Sequence, residues 1–227
     1  MPVTEPQILF EDNHVIAILK PAGMPSQEDE TGDLSAYDWV REYVRVKYQK
    51  PGEAYLGLLH RLDRPASGIL LMARTSKAAA RLSEDFRVRN IQKTYRIITE
   101  RIPDPPAATL THHVKKMAGK NIMQAFLKPV HASQDARLHY QVIQTAGGRA
   151  LVEVDLHTGR RHQIRVQMAA IGCTIVGDVK YGKTDFLPDK SIALLAWRLT
   201  FTHPTRKEPI TLQAPWPDQG PWRGFAP

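Results

Sequence analysis

The sequence predicts an α+β domain built on a mixed, largely antiparallel central sheet with flanking helices. Segments with strand-type patterning recur along all 227 residues, while only three stretches carry the apolar stripe of a helix. The two kinds do not alternate strictly, as they would in a doubly wound parallel fold.

Taken in order, QILFEDNHVIAILK (7–20) predicts two strands around an Asp-Asn turn, and PAGMPS (21–26) a Pro/Gly bend after the second. SAYDWVREYVRVKYQK (35–50) places Ala36, Trp39, Val40, Tyr43 and Val44 on one helical face, and Pro51-Gly52 stops it. YLGLLHRLDRPASGILLMART (55–75) reads as two buried strands joined by a bend. Its GILLMA run is apolar throughout, as in a strand covered on both faces. Thr75 can cap a helix over SKAAARLSEDFRVR (76–89), whose stripe is Ala78, Ala79, Leu82 and Phe86. IQKTYRIIT (91–99), ARLHYQVIQ (136–144) and RALVEVDL (149–156) read as strands, and alternation in the first puts Ile91, Lys93, Tyr95 and Ile97 on one face. RRHQIRVQMAAIG (160–172) predicts the third helix, with Arg160 and Arg161 in its first turn, Ile164, Met168 and Ile171 inward, and Gly172 at its end. AWRLTFTHPTRKEPITLQAP (196–215) predicts a hairpin turning at PTRKE. The Pro-rich stretches at 103–107 and 215–222 are too short for linkers, so one domain over 1–227 is expected.

Composition narrows the partners. Hydrophobic residues at 42% and charged residues at 24% fit an ordinary soluble chain, and no apolar run approaches the roughly 20 residues of a membrane span. The N-terminus lacks a secretory pattern, and the lone Cys173 excludes an internal disulfide, so a cytoplasmic protein is expected. The net charge is +8, and it is regional. Residues 1–33 hold seven acids against Lys20, whereas residues 74–101 hold eight bases against three acids. Lys115, Lys116, Lys120 and Lys128 follow with no acid among them. Such clustering fits a polyanionic partner; a solvated basic face is the alternative.

Three features could carry chemistry. Asp63 sits in HRLDRPASG, where Pro65, Ser67 and Gly68 already supply a turn. It is either a turn aspartate paired with Arg61 or Arg64, or a carboxylate kept ionised by them for use as nucleophile or general base. In HTGRRHQIR (157–165), Arg161 and Arg165 are four apart, and Arg160 and Arg161 oppose a helix dipole. Such a segment needs an anion from elsewhere: a phosphate backbone, or a distant carboxylate such as Asp63. Tyr95 alone reads as an ordinary core or edge tyrosine. His112-His113 and the His157/His162 pair lack a metal-ligand pattern, and no phosphate loop, dinucleotide fingerprint or serine elbow is present, so neither metal nor cofactor is expected.

HRLDRPASG together with TGRRHQIR resembles the RluA-type pseudouridine synthases. The two segments match that family's HRLD-x-x-[TS]-SG and G-R-x-H-Q-[IL]-R motifs at 60–68 and 159–165. ILKPAGMPS, IQKTYRIIT, GDVKYG and LTFTHP also fall in the family's order, so the resemblance spans about residues 8–214. It implies a pseudouridine synthase-like fold with a central RNA-binding cleft, in a stand-alone form without an S4 domain. The implied reaction exchanges the N1–C1′ bond of a flipped uridine for a C5–C1′ bond. By motif, Asp63 would be the nucleophile, at C1′ or at C6. Arg165 would pair with Asp63 and help admit the nucleotide, and Tyr95 would stack on uracil and assist proton removal at C5. Leu194 would line the base pocket, while Arg61, Arg64, Lys93, Arg160, Arg161 and His162 would contact RNA. The implied partner is structured RNA, ribosomal favoured and transfer RNA the alternative, acted on by a monomer. Ala66, Gln27 and Leu195 depart from the common pattern, at positions that bear on loop stability or RNA choice. Two other readings remain: a glycosidase-like hydrolase, which needs a second carboxylate, and a basic RNA-binding module without catalysis, which leaves Asp63 unexplained.

Overall fold

The computed structural model describes residues 5–182 and 185–226, which fall into two compact units. The first comprises the chain through Ile91 with Ala196–Ala214; the second comprises Gln92–Leu195 with the chain from Pro215 onward.

In the first unit, β1 (Gln7–Glu11) and β2 (Val15–Lys20) form the expected hairpin. Asp12 closes it by accepting from the His14 and Val15 amides at 2.8 and 2.9 Å. Helix α1 (Ala36–Lys47) starts at Ser35, whose hydroxyl accepts from the Asp38 amide at 3.1 Å. It buries Ala36, Val40 and Val44, while Trp39 and Tyr43 stack half-exposed with ring centroids 5.6 Å apart. The expected pair of buried strands over 55–75 is uneven. β3 (Gly57–Leu58) is two half-buried residues, and only β4 (Ser67–Ala73) runs through the core. The sequence between them is spent on a long polar loop, not a tight bend. Thr75 caps α2 (Ser76–Arg87) through the Ala78 amide, and Ala78 and Leu82 are its buried residues.

The second unit is a run of antiparallel strands. β5 (Gln92–Thr99), β9 (Arg149–Leu156) and β8 (Gln134–Ala146) pair in the order 5-9-8, and β6 (Ala107–Lys116) and β7 (Met123–Phe126) extend it. The β6–β7 hairpin is absent from the sequence expectations, although Leu110, His112 and Val114 are buried with the period of two that marks a strand. Helix α3 (Gln163–Ala170) packs on β6 and β7 over a cluster of Val114, Met123, Ala136 and Val166.

The sequence expectation for α3 needs correction. His162 adopts a left-handed conformation (φ 52°), so the helix begins at Gln163. Arg160 and Arg161 therefore precede the helix and are not in its first turn. Arg161 is exposed and Arg165 buried, so the two are not neighbours on one face.

β10 (Leu194–Thr202) and β11 (Pro209–Gln213) form the expected final hairpin, and β10 follows β4 in the first unit's strand order β1-β2-β4-β10. β2 and β4 hold that unit's core: Val15 through Ile18 and Leu70 through Ala73 have no exposed surface. Beyond the second Pro-rich stretch a short 3-10 helix, Gly220–Gly224, buries Trp222. No helix among the described residues is long and apolar enough to cross a membrane.

Candidate active site

Asp63 occupies the loop between β3 and β4, half-exposed, and the loop is tied down on both sides of it. The Ser26 hydroxyl donates to the Leu62 carbonyl at 2.8 Å and accepts from the Leu62 amide at 2.9 Å. On the other side the Gly23 amide donates to the Arg64 carbonyl at 2.8 Å, and Arg64 Nε returns a bond to the Gly23 carbonyl at 2.9 Å. The Ala66 amide closes a turn on the Asp63 carbonyl at 3.0 Å. PAGMPS is thus the brace of the Asp63 loop.

Both ends of the loop are anchored as well. His60 Nε2 accepts from the Leu71 amide at 3.0 Å, and its ring stacks on Phe86. At the far end Gly68 has φ 121°, and a Cβ there would lie 2.5 Å from both N and O of Ala196 on β10. Glycine is what allows the motif to run against that strand. Ala66, where the chain departs from the family pattern, is buried.

The Arg64 guanidinium is engaged by groups of its own unit. Its guanidinium bonds Thr31 at 2.8 Å, with Asp29 3.5 Å away and Asp33 in close contact. The acids of the N-terminal third thus hold this arginine, whereas Arg61 is exposed.

Lys20 is a contributor that the sequence reading passed over. It is fully buried, and its ammonium donates to the carbonyls of Pro21 and Met24 at 2.8 Å and of Arg64 at 3.4 Å. Burial pushes its pKa down to about 7, against the pull of the Asp63 charge, with Arg64 lowering it further. The unfolded chain, with an ordinary lysine near 10.5, binds this proton more tightly. The stability penalty is therefore full below pH 7 and vanishes as pH rises through 10.5. Urea unfolding at pH 7 and 9.5 should show the wild type gaining stability on Lys20→Met, by about 2 kcal/mol or more. Parallel pH dependences for the two proteins would contradict this.

In the second unit, Tyr95 is buried on β5 and opposes Val154 of β9, while Thr94 bonds the Asp155 carboxylate at 2.9 Å. β9 leads straight into the TGRRHQIR segment, so the start of β5 and that segment are neighbours: a Cβ on Gly159 would lie 3.7 Å from Lys93 Nζ. Gln163 organises the segment, with its side-chain oxygen accepting from the Thr158 hydroxyl at 2.7 Å and the Arg160 amide at 2.9 Å. Arg160 Nε reaches the Asp135 carbonyl at 2.9 Å, and Arg161 reaches the Asn121 side chain in the β6–β7 loop. His162 Nδ1 lies 2.8 Å from the Tyr181 hydroxyl.

Arg165 is buried, and its Nε and Nη2 each meet an oxygen of Asp178 at 2.7 Å. Asp178 is a carboxylate the sequence reading did not single out, although it lies in the GDVKYG match. Leu194 is buried at the first residue of β10. Each unit thus gathers its own set: Arg61, Asp63 and Arg64 on one braced loop, and Lys93, Tyr95 and the 159–165 segment on adjoining strands and a helix start. No group of three or more His, Cys, Asp or Glu suited to a metal occurs among the described residues.

Comparison with known proteins matches residues 14–170 to a family model described as RNA pseudouridylate synthase, a span that contains both motifs. Among curated relatives, the ribosomal large subunit pseudouridine synthase D of Nitrosomonas europaea is 31% identical over 93% of this chain and 62% of its own length. The tRNA pseudouridine synthase C of Yersinia pestis is 32% identical over 96% of this chain and 89% of its own. The first two curated relatives are longer, and the chain spans 62% and 60% of them. A solved structure, human RNA pseudouridylate synthase domain containing 4, matches with a TM-score of 0.76 and 26% identity, covering 93% of this chain and 88% of that one.

Proposed function

The chain belongs to the RNA pseudouridylate synthase family, and from that premise we propose that it isomerises specific uridines of structured RNA to pseudouridine. The observation that carries this reading is the Asp63 loop: a half-exposed carboxylate on a segment whose backbone is fixed on either side by Ser26, Gly23 and Lys20. A structural turn needs no such bracing, whereas a nucleophile gains from being held in one place.

In the proposed reaction a flipped uridine meets Asp63, which either attacks C1′ and expels N1, or adds to C6 with the C5=C6 electron pair moving towards O4 before the N1–C1′ bond breaks. The base rotates, C5 bonds to C1′, N1 gains a proton and C5 loses one, and Asp63 is released. Nothing is oxidised or reduced, so the chemistry calls on no electron carrier. By the motif resemblance, Arg165 is the cationic partner in this step. Tyr95 supports the uracil ring and the proton at C5, and Leu194 supplies apolar lining.

The substrate class we propose is ribosomal or transfer RNA, since relatives of similar identity carry names of both kinds. Mapping pseudouridines in total RNA from cells with and without the gene tests this. Loss of one or a few sites identifies the target, and an unchanged map contradicts the reading.

RNA gripping falls to exposed cations. Arg161→Ala is expected to weaken binding several-fold and to lower the slope of log K against log salt by about one. The check is a salt titration of binding, and an unchanged slope would remove Arg161 from the phosphate contacts.

A further inference from the structure

Arg165 occupies a costly position. It is buried, and it stands in the first turn of α3, where a cation opposes the helix dipole. The compensating anion is Asp178, thirteen residues further on and itself almost fully buried. The pair is bidentate: the carboxylate oxygens face Nε and Nη2 at 2.7 Å each, an arrangement that fixes both the plane and the rotation of the guanidinium.

The surroundings hold Asp178 in turn. The Lys180 amide donates to its Oδ1 at 3.2 Å, and the Gly182 amide donates to its backbone carbonyl at 2.7 Å. A Cβ at Gly182 would come within 2.8 Å of that carbonyl. The turn thus brings Tyr181 over the arginine, with the guanidinium carbon 5.2 Å from the ring centroid. Tyr181 is pinned at its hydroxyl, which accepts from the Met123 amide and meets His162 Nδ1, both at 2.8 Å. GDVKYG therefore forms a socket for one side chain.

We propose that Asp178 is the positioning residue of Arg165, with Tyr181 as the second wall of its socket. The clamp fixes the edge formed by Nε and Nη2, so Arg165 serves the reaction through one orientation of its guanidinium. It also matches the charge of Arg165 with a buried anion, so this arginine acts in the chemical step and adds little to the phosphate grip. What Arg165 serves rests on the functional reading above; the clamp itself does not.

Two measurements on the full chain separate these. In the wild type, the Arg165 Nε–Hε pair should give a resolved NMR signal protected from solvent exchange, and Asp178→Asn should abolish or shift it. An Arg165 Hε that exchanges as in free arginine overturns the clamp, whether or not the protein is active. The second is single-turnover conversion of a modified-site RNA at saturating protein, with binding measured alongside at a temperature where both proteins are folded. Asp178→Asn is expected to slow the step by about 100-fold while the RNA Kd stays within threefold and its salt slope is unchanged. A rate within threefold of wild type, or a loss appearing in Kd instead, overturns the positioning role. A wild type that forms no pseudouridine fails the functional reading, and the Hε signal still decides the clamp.

Discussion

Asp63→Asn is expected to lower uridine conversion by at least about 10⁴-fold, the scale of loss seen when a covalent nucleophile is removed. The amide has nearly the shape of the carboxylate but cannot attack C1′ or C6. The loop should survive the change, because the backbones of Leu62, Arg64 and Ala66 are themselves braced. RNA binding should therefore persist, with stability changed by less than about 1 kcal/mol. One further consequence is specific: the Asp63 charge holds the Lys20 pKa up, so the variant should move that pKa further down. Single-turnover assay, binding and urea unfolding check the three parts. Retained conversion would show that Asp63 is not the nucleophile.

Gly68→Ala should be the most damaging single-methyl change in the first unit. The position combines φ 121° with a close approach to the Ala196 backbone, where a Cβ would meet N and O at 2.5 Å. Neither atom belongs to a flexible side chain, so β4 or β10 must move. The expected cost is about 3–5 kcal/mol, read as a fall in the urea midpoint. A loss below about 1 kcal/mol would mean that the sheet yields there. By contrast, Arg165→Ala is a poor probe of chemistry, because it strands a buried carboxylate at a cost of about 3–5 kcal/mol.

Much of the first unit was legible in the sequence because its signals are local. The Asp12 turn, the Thr75 cap and the apolar run of β4 each depend on residues close together in the chain. The Asp63 motif was legible for the same reason: it is contiguous. What escaped depended on distance or on a single backbone angle. The positive φ of His162 shortens α3 and separates Arg161 from Arg165, and nothing in RRHQIR marks that residue as left-handed. The β6–β7 hairpin was hidden because a buried histidine, His112, stands where alternation calls for an apolar residue. Lys20 inverts the usual rule for lysine, and the three carbonyls gathered around its ammonium, with the charge of Asp63, offset its burial. Asp178 finds Arg165 only through the fold. The sequence had asked for an anion to balance these arginines, and for Arg165 one comes from within its own unit.

The central claim is isomerisation, and release of tritium from RNA labelled at C5 of uridine tests it most directly. Purified wild-type protein acting on unmodified ribosomal or transfer RNA should release tritium in proportion to pseudouridine formed, with the strand intact and no free uracil. Asp63→Asn should release none. Free uracil without pseudouridine would indicate hydrolysis. Tight RNA binding with neither tritium nor uracil released would indicate a binding module, and either result would contradict the account.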